Sequence, residues 1–405
     1  MKSKKVVVLG KGTAGVLTMA NFLKEKEANP NLELEWHFDS DIKPQAVGEG
    51  SPLNIPKELF RTVGLFTHDL ANVDGTFKHG IRKINWQGQA DFFHEFPPGE
   101  VGYHFNATAL QKYIFDKIKD QVKIVDANAT SDKIDASYVM DCSGTPKDSE
   151  SIDLVKYIPV NAAYVTQCYW DLPRFAYTLA IARPYGWVFG IPLVNRCSIG
   201  YMFNDTISSI EEVKEDVKHV FEQFNLTPST ATNELHFKNY IRKENYTSRV
   251  AYNGNASFFL EPMEATSLST MLFVNTQAKS CILNPLTVRR SNMLYKDRLI
   301  RTERMIMLHY FAGSVFKTDF WEFAEERGRK CIEEAVKDEN WLKWYNASKK
   351  IIYNGDSSGV NEEMMRSGYI IGGGDEWSPW NLHINISRMG LNIYDRVDAM
   401  IKYNF

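Results

Sequence analysis

Two periods alternate along this chain. The opening "KKVVVL" is a continuous apolar run, the pattern of a strand buried on both faces. Residues 10–15 form a tight turn, and "TAGVLTMANFLKEKEA" then sets Val16, Met19, Ala20, Phe22 and Leu23 inward at helical spacing. "LELEWHFD" returns to a period of two. Together these predict a β-α-β unit, the start of a doubly wound sheet. Further on, "PKELFRTVGL" reads as a short helix with Pro56 near its start. "GTFKHGIRKINW" reads as a strand, "NATALQKYIFDKIKD" as a helix, and "QVKIVDANA" and "ASYVMDCSG" as strands. Strands are expected near 175–182, 186–193 and 197–203. Ser209-x-x-Glu212 is a capping box opening the helix "EEVKEDVKHVFEQF". From about residue 285 the pattern is mostly helical, and no internal repeat or low-complexity linker interrupts it.

Bulk properties narrow the class. A chain of 405 residues holds two or three domains or one large composite fold. The net charge of -3, with no basic block, points away from nucleic acid and anionic membranes. The N-terminal apolar run is too short for a secretion signal, and nothing approaches the roughly 18 apolar residues of a membrane span. The five cysteines are odd in number and scattered, which fits reduced thiols in cytoplasm. No disulfide framework and no metal site is expected.

Two stretches carry chemistry. "GKGTAG" fits G-x-G-x-x-G directly after a strand and opening a helix, with Gly10, Gly12 and Gly15 as its glycines and Thr13 and Ala14 at the helix start. Such glycines permit the turn and let backbone approach a pyrophosphate, which the helix N-terminus then holds. Asp39 ends the second strand, where a carboxylate accepts hydrogen bonds from a ribose. The turn alone leaves FAD and NAD open. In "GTFKHGIRKINW" a period of two puts Lys78 on one face with Gly80, Arg82, Ile84 and Trp86. Gly80 is expected to leave space beside the lysine. Arg82 and Lys83 read as outer or edge charges, and His104 as structural.

The motifs in order resemble those of the flavin-dependent halogenases, especially the tryptophan halogenase group. "VMDCSG", a late strand ending in Asp-x-x-Gly, resembles FAD folds. "VGEGSP" looks like the strap that crosses the flavin, "GTFKHGIRKINW" like the strand of the active-site lysine, and "GWVFGIP" like Trp-x-Trp-x-Ile-Pro with Phe189 for the second Trp. "FLEPMEATSL" looks like the glutamate and halide segment, and "LHYFAGSVFKTDFW" matches a helical region of the group. The length is short for the group, as in its phage-borne members.

The resemblance implies an α/β fold. An FAD-binding, Rossmann-like, flavin monooxygenase-like core would carry an antiparallel substrate-side sheet and a mostly helical C-terminal region. The expected division is an FAD module with interleaved substrate-side strands over 1–285, and a helical region over 286–405 that completes the substrate site. The resemblance implies Lys78 and Glu264 as catalytic residues and Thr266 and Ser267 as halide contacts. His94 and Phe96 would hold an aromatic substrate. Trp187, Phe189, Ile191 and Pro192 would separate flavin from substrate. Val47, Gly48, Glu49, Asn255 and Leu268 join the turn residues around FAD. Asn255 stands where many flavoproteins have Asp, and Ser267 where the group has Gly.

The implied reaction uses FADH2, O2 and halide to make hypohalous acid, which Lys78 relays to an electron-rich aromatic small molecule. A separate flavin reductase is the implied partner, and a homo-oligomer is left open. An FAD-dependent aromatic hydroxylase is the alternative enzyme, and a flavoprotein kept as a binding module is the alternative outside catalysis.

Overall fold

A computed structural model describes residues 4–42, 50–87, 91–96, 99–354, 379–390 and 392–404. The chain forms two units, each assembled from three segments. The first comprises residues 1–76, 102–155 and 238–299, and the second 77–101, 156–237 and 300–405. No helix among the described residues is long and apolar enough to cross a membrane.

The first unit is built on a five-stranded parallel sheet. Its order is Val250–Tyr252, Tyr138–Asp141, Lys4–Leu9, Leu32–Phe38 and Lys123–Asp126. The continuous apolar run explains its central strand, where Val6, Val7 and Val8 are fully buried, as a parallel strand covered on both faces requires. In Leu32–Phe38 the period-two pattern holds, with Leu32, Leu34, Trp36 and Phe38 buried. The helices Thr13–Ala28, Asn54–Val63, Ala107–Ile118 and Ser267–Leu283 pack around one another in this unit. A second, antiparallel sheet joins Phe258–Phe259, Tyr240–Arg242 and Ile152–Leu154.

The second unit is built on a seven-stranded sheet. Its order is Thr227–His236, Ala162–Tyr169, Arg196–Phe203, Gly186–Pro192, Thr178–Arg183, Gly80–Ile84 and Asp91–Glu95. Every neighbouring pair is antiparallel except Thr178–Arg183 with Gly80–Ile84. One face is closed by the helix Ile210–Gln223, whose Val213, Val217 and Val220 pack with Leu179, Ile181, Val188, Ile199 and Tyr201. The Ser209–Glu212 capping box is present at its start, with Glu212 accepting from the Ser209 amide at 2.8 Å. The helices Asp319–Ala335, Glu339–Asn354, Pro379–Met389 and Asn392–Asn404 complete this unit. The mixed α/β class, the parallel core, the largely antiparallel second sheet and the helical C-terminal region all agree with the sequence reading. The strands Ala162–Tyr169 and Thr227–His236 were not anticipated.

Candidate functional site

In the first unit the glycine turn lies beyond the carboxyl ends of the parallel strands, where open α/β sheets bind ligands. Three bonds pin it. The Gly10 amide donates to His37 O at 2.8 Å, Trp36 Nε1 donates to Gly10 O at 2.8 Å, and the Cys142 amide donates to Leu9 O at 2.8 Å. Gly10 has φ +104°, and a Cβ there would stand 2.4 Å from Cys142 O. A Cβ at Gly15 would stand 2.2 Å from Gly10 O, so both glycines are demanded by backbone packing. Gly12 is different. It caps the helix Thr13–Ala28 without a side-chain bond, and a Cβ there would meet nothing within 4 Å.

That open cradle in front of uncapped helix amides fits a dinucleotide pyrophosphate. Thr13 Oγ1 accepts from Gln111 Nε2 at 2.8 Å, and Ala14 is buried at the helix start. Asp39 is half-buried just past its strand, where its Oδ1 accepts from the Asp41 amide at 3.0 Å. Lys11, which the glycine pattern treats as a spacer, holds its ammonium 4.0 Å from the Phe115 ring centroid. The strap residues Val47, Gly48 and Glu49 lie outside the described residues.

The segment around Asn255 is tied down by a neighbour that motif reading passed over. Asn253 is fully buried. Its Nδ2 reaches Thr18 Oγ1 at 3.0 Å, Asn275 Oδ1 at 2.9 Å and Met271 O at 3.1 Å. Its amide donates to Asp141 O at 2.8 Å, and its Oδ1 accepts from the Gly254 amide at 2.8 Å. One residue thus joins the end of the Asp-x-x-Gly strand, through its amide, to the helix behind the glycine turn and the helix Ser267–Leu283, through its side chain. Gly254, at φ +59°, is forced to be glycine because a Cβ would stand 2.6 Å from that of Ala14. Asn255 itself is half-buried, and its carbonyl accepts from Tyr240 Oη at 2.6 Å.

The candidate glutamate and halide segment is strained. Glu264 has φ 65° and Ala265 has φ 55°, two consecutive non-glycine residues in the left-handed region. Each costs about 1–2 kcal/mol, which surrounding structure must hold in place. The helix Ser267–Leu283 starts immediately after, with Thr266 at its N-cap and no side-chain cap. Its first amides and the positive end of its dipole suit a small anion. Thr266 and Leu268 are buried, while Glu264 and Ser267 are half-buried. Arg298, unmarked by any motif, reaches Ser269 Oγ at 3.1 Å and so brings a cation to the same helix start.

In the second unit Lys78 is 2% exposed, and its ammonium lies 5.7 Å from the centroid of the Phe96 ring. Phe96 in turn meets His94 edge-on, with ring centroids 6.4 Å apart. The strand breaks at His79, separating Thr76–Lys78 from Gly80–Ile84. The space beside Lys78 attributed to Gly80 is filled. A Cβ at Gly80 would stand 2.5 Å from His94 O and 2.6 Å from Phe93 Cζ, so this glycine serves strand packing and leaves no void.

Lys83 also departs from expectation. It is fully buried, not an edge charge, with Nζ 2.5 Å from His309 Nε2 and 2.5 Å from Asn385 Oδ1. His309 Nδ1 lies 3.0 Å from Met305 O; donation there leaves Nε2 to accept from the lysine. Parity misled here because both faces of Gly80–Ile84 are covered. Arg82 is a partly exposed outer charge, paired with Asp91 of the edge strand at 2.6 Å, and that pairing lowers the Asp91 carboxyl below its usual range.

Sheet register brings distant motifs onto one face. Residues directly opposite on neighbouring strands share a face, as do residues two apart. Phe92 pairs Lys83, Lys83 pairs Ala180, Ala180 pairs Phe189, and Phe189 pairs Gly200. His94, Trp187 and Ile191 stand two residues from members of this row and share its face. Gly200 is glycine because Phe189 lies over it, Cζ 2.1 Å from where a Cβ would sit. Trp187 is 2% exposed and Pro192 is buried, while Phe189 and Ile191 are half-buried. Among the described residues no cluster of histidines, cysteines and carboxylates could hold a metal ion.

Known proteins resemble this chain in sequence and in fold. The tryptophan 7-halogenase RebH of Lentzea aerocolonigenes is 24% identical over 430 residues, covering 80% of this chain and 79% of that protein. The tryptophan 6-halogenase ThaL of Streptomyces albogriseolus is 20% identical with the same coverage, 80% and 79%. Among solved structures, the tryptophan 6-halogenase SttH of Streptomyces toxytricini shares the fold with TM-score 0.74 at 17% identity, over 99% of this chain and 96% of that one. BrvH, a flavin-dependent halogenase from Brevundimonas sp. BAL3, shares it with TM-score 0.71 at 19% identity, over 98% and 97%. The family described as tryptophan halogenase matches residues 5–124 and 113–342, and the chain belongs to that family.

Proposed function

We propose that this chain is an FADH2-dependent halogenase, with Lys78 relaying an oxidised halogen to an electron-rich aromatic small molecule. The observation that carries the reading is the burial of Lys78, 2% exposed, with its ammonium against the Phe96 ring. A lysine kept from water carries a desolvation cost, and here it sits against the ring pair proposed to hold the substrate. Bound as FADH2, the cofactor would supply the electrons with which O2 raises halide to hypohalous acid. A separate reductase delivers that reduced flavin, and the chain acts in the cytoplasm.

Residues 10–15 cradle the pyrophosphate through backbone amides, and Gly12 leaves the space for it. Asp39 accepts from the ribose, and Asn255, Leu268 and the strap Val47, Gly48 and Glu49 line the flavin. The amides at Thr266 and Ser267 hold halide at the helix start. Lys78 hydrogen-bonds hypohalous acid through Nζ and polarises its halogen, so that the arene meets a fixed electrophile in place of a diffusing one. His94 and Phe96 hold the aromatic ring. Trp187, Phe189, Ile191 and Pro192 exclude water from it, and the C-terminal helical region closes the substrate side. As halogen replaces hydrogen on the ring, the departing proton goes to the Glu264 carboxylate, which also stabilises the positive charge built up before it leaves.

The test is mass spectrometry of phenol, indole and pyrrole substrates incubated with enzyme, a flavin reductase and each halide in turn. Halide-dependent products are expected, and hydroxylated ones in their place would favour the monooxygenase alternative. Lys78→Ala should keep consuming reduced flavin and release peroxide or free hypohalous acid, with arene halogenation lost. Halogenation at the wild-type rate would remove the lysine from the mechanism.

A further inference from the structure

Lys11 is the only charged residue of the turn "GKGTAG", standing between Gly10 and Gly12. It is half-buried. Among the described residues its ammonium makes no hydrogen bond and no ion pair. Other lysines of the same unit do pair. Lys123 meets Glu35 at 3.0 Å, Lys24 meets Glu27 at 2.9 Å and Lys279 meets Glu25 at 3.3 Å. Lys11 lies over rings instead, 4.0 Å from the Phe115 centroid and 4.9 Å from that of Phe38. Those rings hold one another in place. Trp36 and Phe38 have centroids 5.6 Å apart, Trp36 and Phe115 5.3 Å, and Phe38 and Phe115 5.9 Å. A ring face attracts a cation yet leaves the N–H donors of an ammonium free for an anion.

The direction of the side chain adds to this. The strands Lys4–Leu9, Leu32–Phe38 and Lys123–Asp126 are neighbours in the parallel sheet. Lys11 follows the end of the first, and its ammonium lies by Phe38, which ends the second and precedes Asp39. Its charge also reaches Asp126, at the end of the third. That carboxyl is held below its usual range chiefly by bonds from Ser40, with a smaller pull from Lys11. The lysine thus runs from the glycine turn toward Asp39. A dinucleotide on this fold takes the same course, with its pyrophosphate at the turn and the adenosine ribose at the end of the second strand. Gly12 keeps the neighbouring space open, since a Cβ there would meet nothing within 4 Å.

We infer that Lys11 is a specificity-determining residue whose Nζ pairs with the adenosine-side phosphate of the cofactor, so that the chain selects FAD over FMN. This rests on the proposed function, in taking the bound dinucleotide to be FAD. The turn amides offer partial charges to either phosphate, and the lysine adds a full charge on the adenosine side. FMN carries the flavin-side phosphate alone and leaves the ammonium on its rings.

The experiment replaces Lys11 by methionine, which keeps an apolar stem on the rings and removes the charge, and by arginine, which keeps the charge. Affinities of the full chain, freed of flavin, are measured by calorimetry for FAD, ADP and FMN. Lys11→Met should weaken FAD and ADP about tenfold each and FMN less than about twofold, the loss of one charge-assisted hydrogen bond. Lys11→Arg should keep FAD and ADP within about threefold of wild type. Added salt should narrow the gap between wild type and Lys11→Met by screening the ion pair. Unchanged FAD and ADP affinity in Lys11→Met overturns the inference, as does an equal loss for FMN or a gap that salt leaves intact. So does a wild type that binds FMN as tightly as FAD. A wild type with the expected affinities and no halogenated product would strike the proposed function and leave the role of the lysine standing.

Discussion

The two units build their candidate sites from different material. In the first, the pieces that would hold cofactor and halide are mostly backbone: the glycine turn, two left-handed residues and two uncapped helix starts. In the second they are side chains: the Lys78 amine on the strand Thr76–Lys78, and an imidazole and aromatic rings, of which His94, Phe189 and Trp187 share one sheet face by strand pairing. Backbone sites are damaged by adding atoms, and side-chain sites by removing them. The contrast assigns invariance of shape to one unit and freedom of chemistry to the other.

Glu264 is the exception that tests this division, a side chain at the front of a backbone site. Glu264→Gln keeps the hydrogen-bonding shape and loses the base. It should slow arene halogenation about a hundredfold, within the range for general acid–base groups, and leave hypohalous acid formation nearly untouched. Equal slowing of both, read by product mass and by an oxidant-trapping assay, would return the residue to a purely structural role.

A smaller effect is expected at Asn253, which is given no ligand contact of its own but whose side chain holds the backbone leading into Asn255. Asn253→Ala strips partners from Thr18 and Asn275 and should cost about 2 kcal/mol of stability in denaturant titration. FAD should also bind more weakly, because Gly254 and Asn255 lose their anchor. Full FAD affinity in a destabilised variant would show that the knot serves the core alone.

The mildest change is a methyl group. Gly12→Ala has room in the protein and an ordinary φ of -68°, so thermal stability should stay within about 0.5 kcal/mol of wild type. Its methyl projects into the cradle, and FAD affinity should fall about tenfold. Wild-type affinity would mean that the cofactor does not approach Gly12.

Legibility followed the same line. The glycine turn, the Ser209 capping box and the buried strand at residues 4–9 were readable because each is specified within a few neighbouring residues. The helix Thr13–Ala28 was readable to its ends for the same reason. The strand Thr227–His236 was not, since it is exposed along most of its length and carries no apolar alternation to announce it. Lys83 was misread because parity along one strand says which side a residue faces, and nothing about whether that side is covered. Its partners, His309 and Asn385, stand 226 and 302 residues away. Asn253 lay two residues from a motif position and went unread because its partners lie on two other helices. The shared face of His94, Phe189 and Trp187 depends on register across four strands, which no local pattern encodes.

The three-segment construction of each unit has a consequence during synthesis. The last residues of the first unit leave the ribosome at Leu299, whereas the second needs helices encoded beyond residue 379. At about 5–20 residues per second, the nucleotide-type unit has its full sequence several seconds before the aromatic-lined one. Cofactor arriving in that interval would meet the glycine turn already synthesised while the last helices of the second unit are still to come.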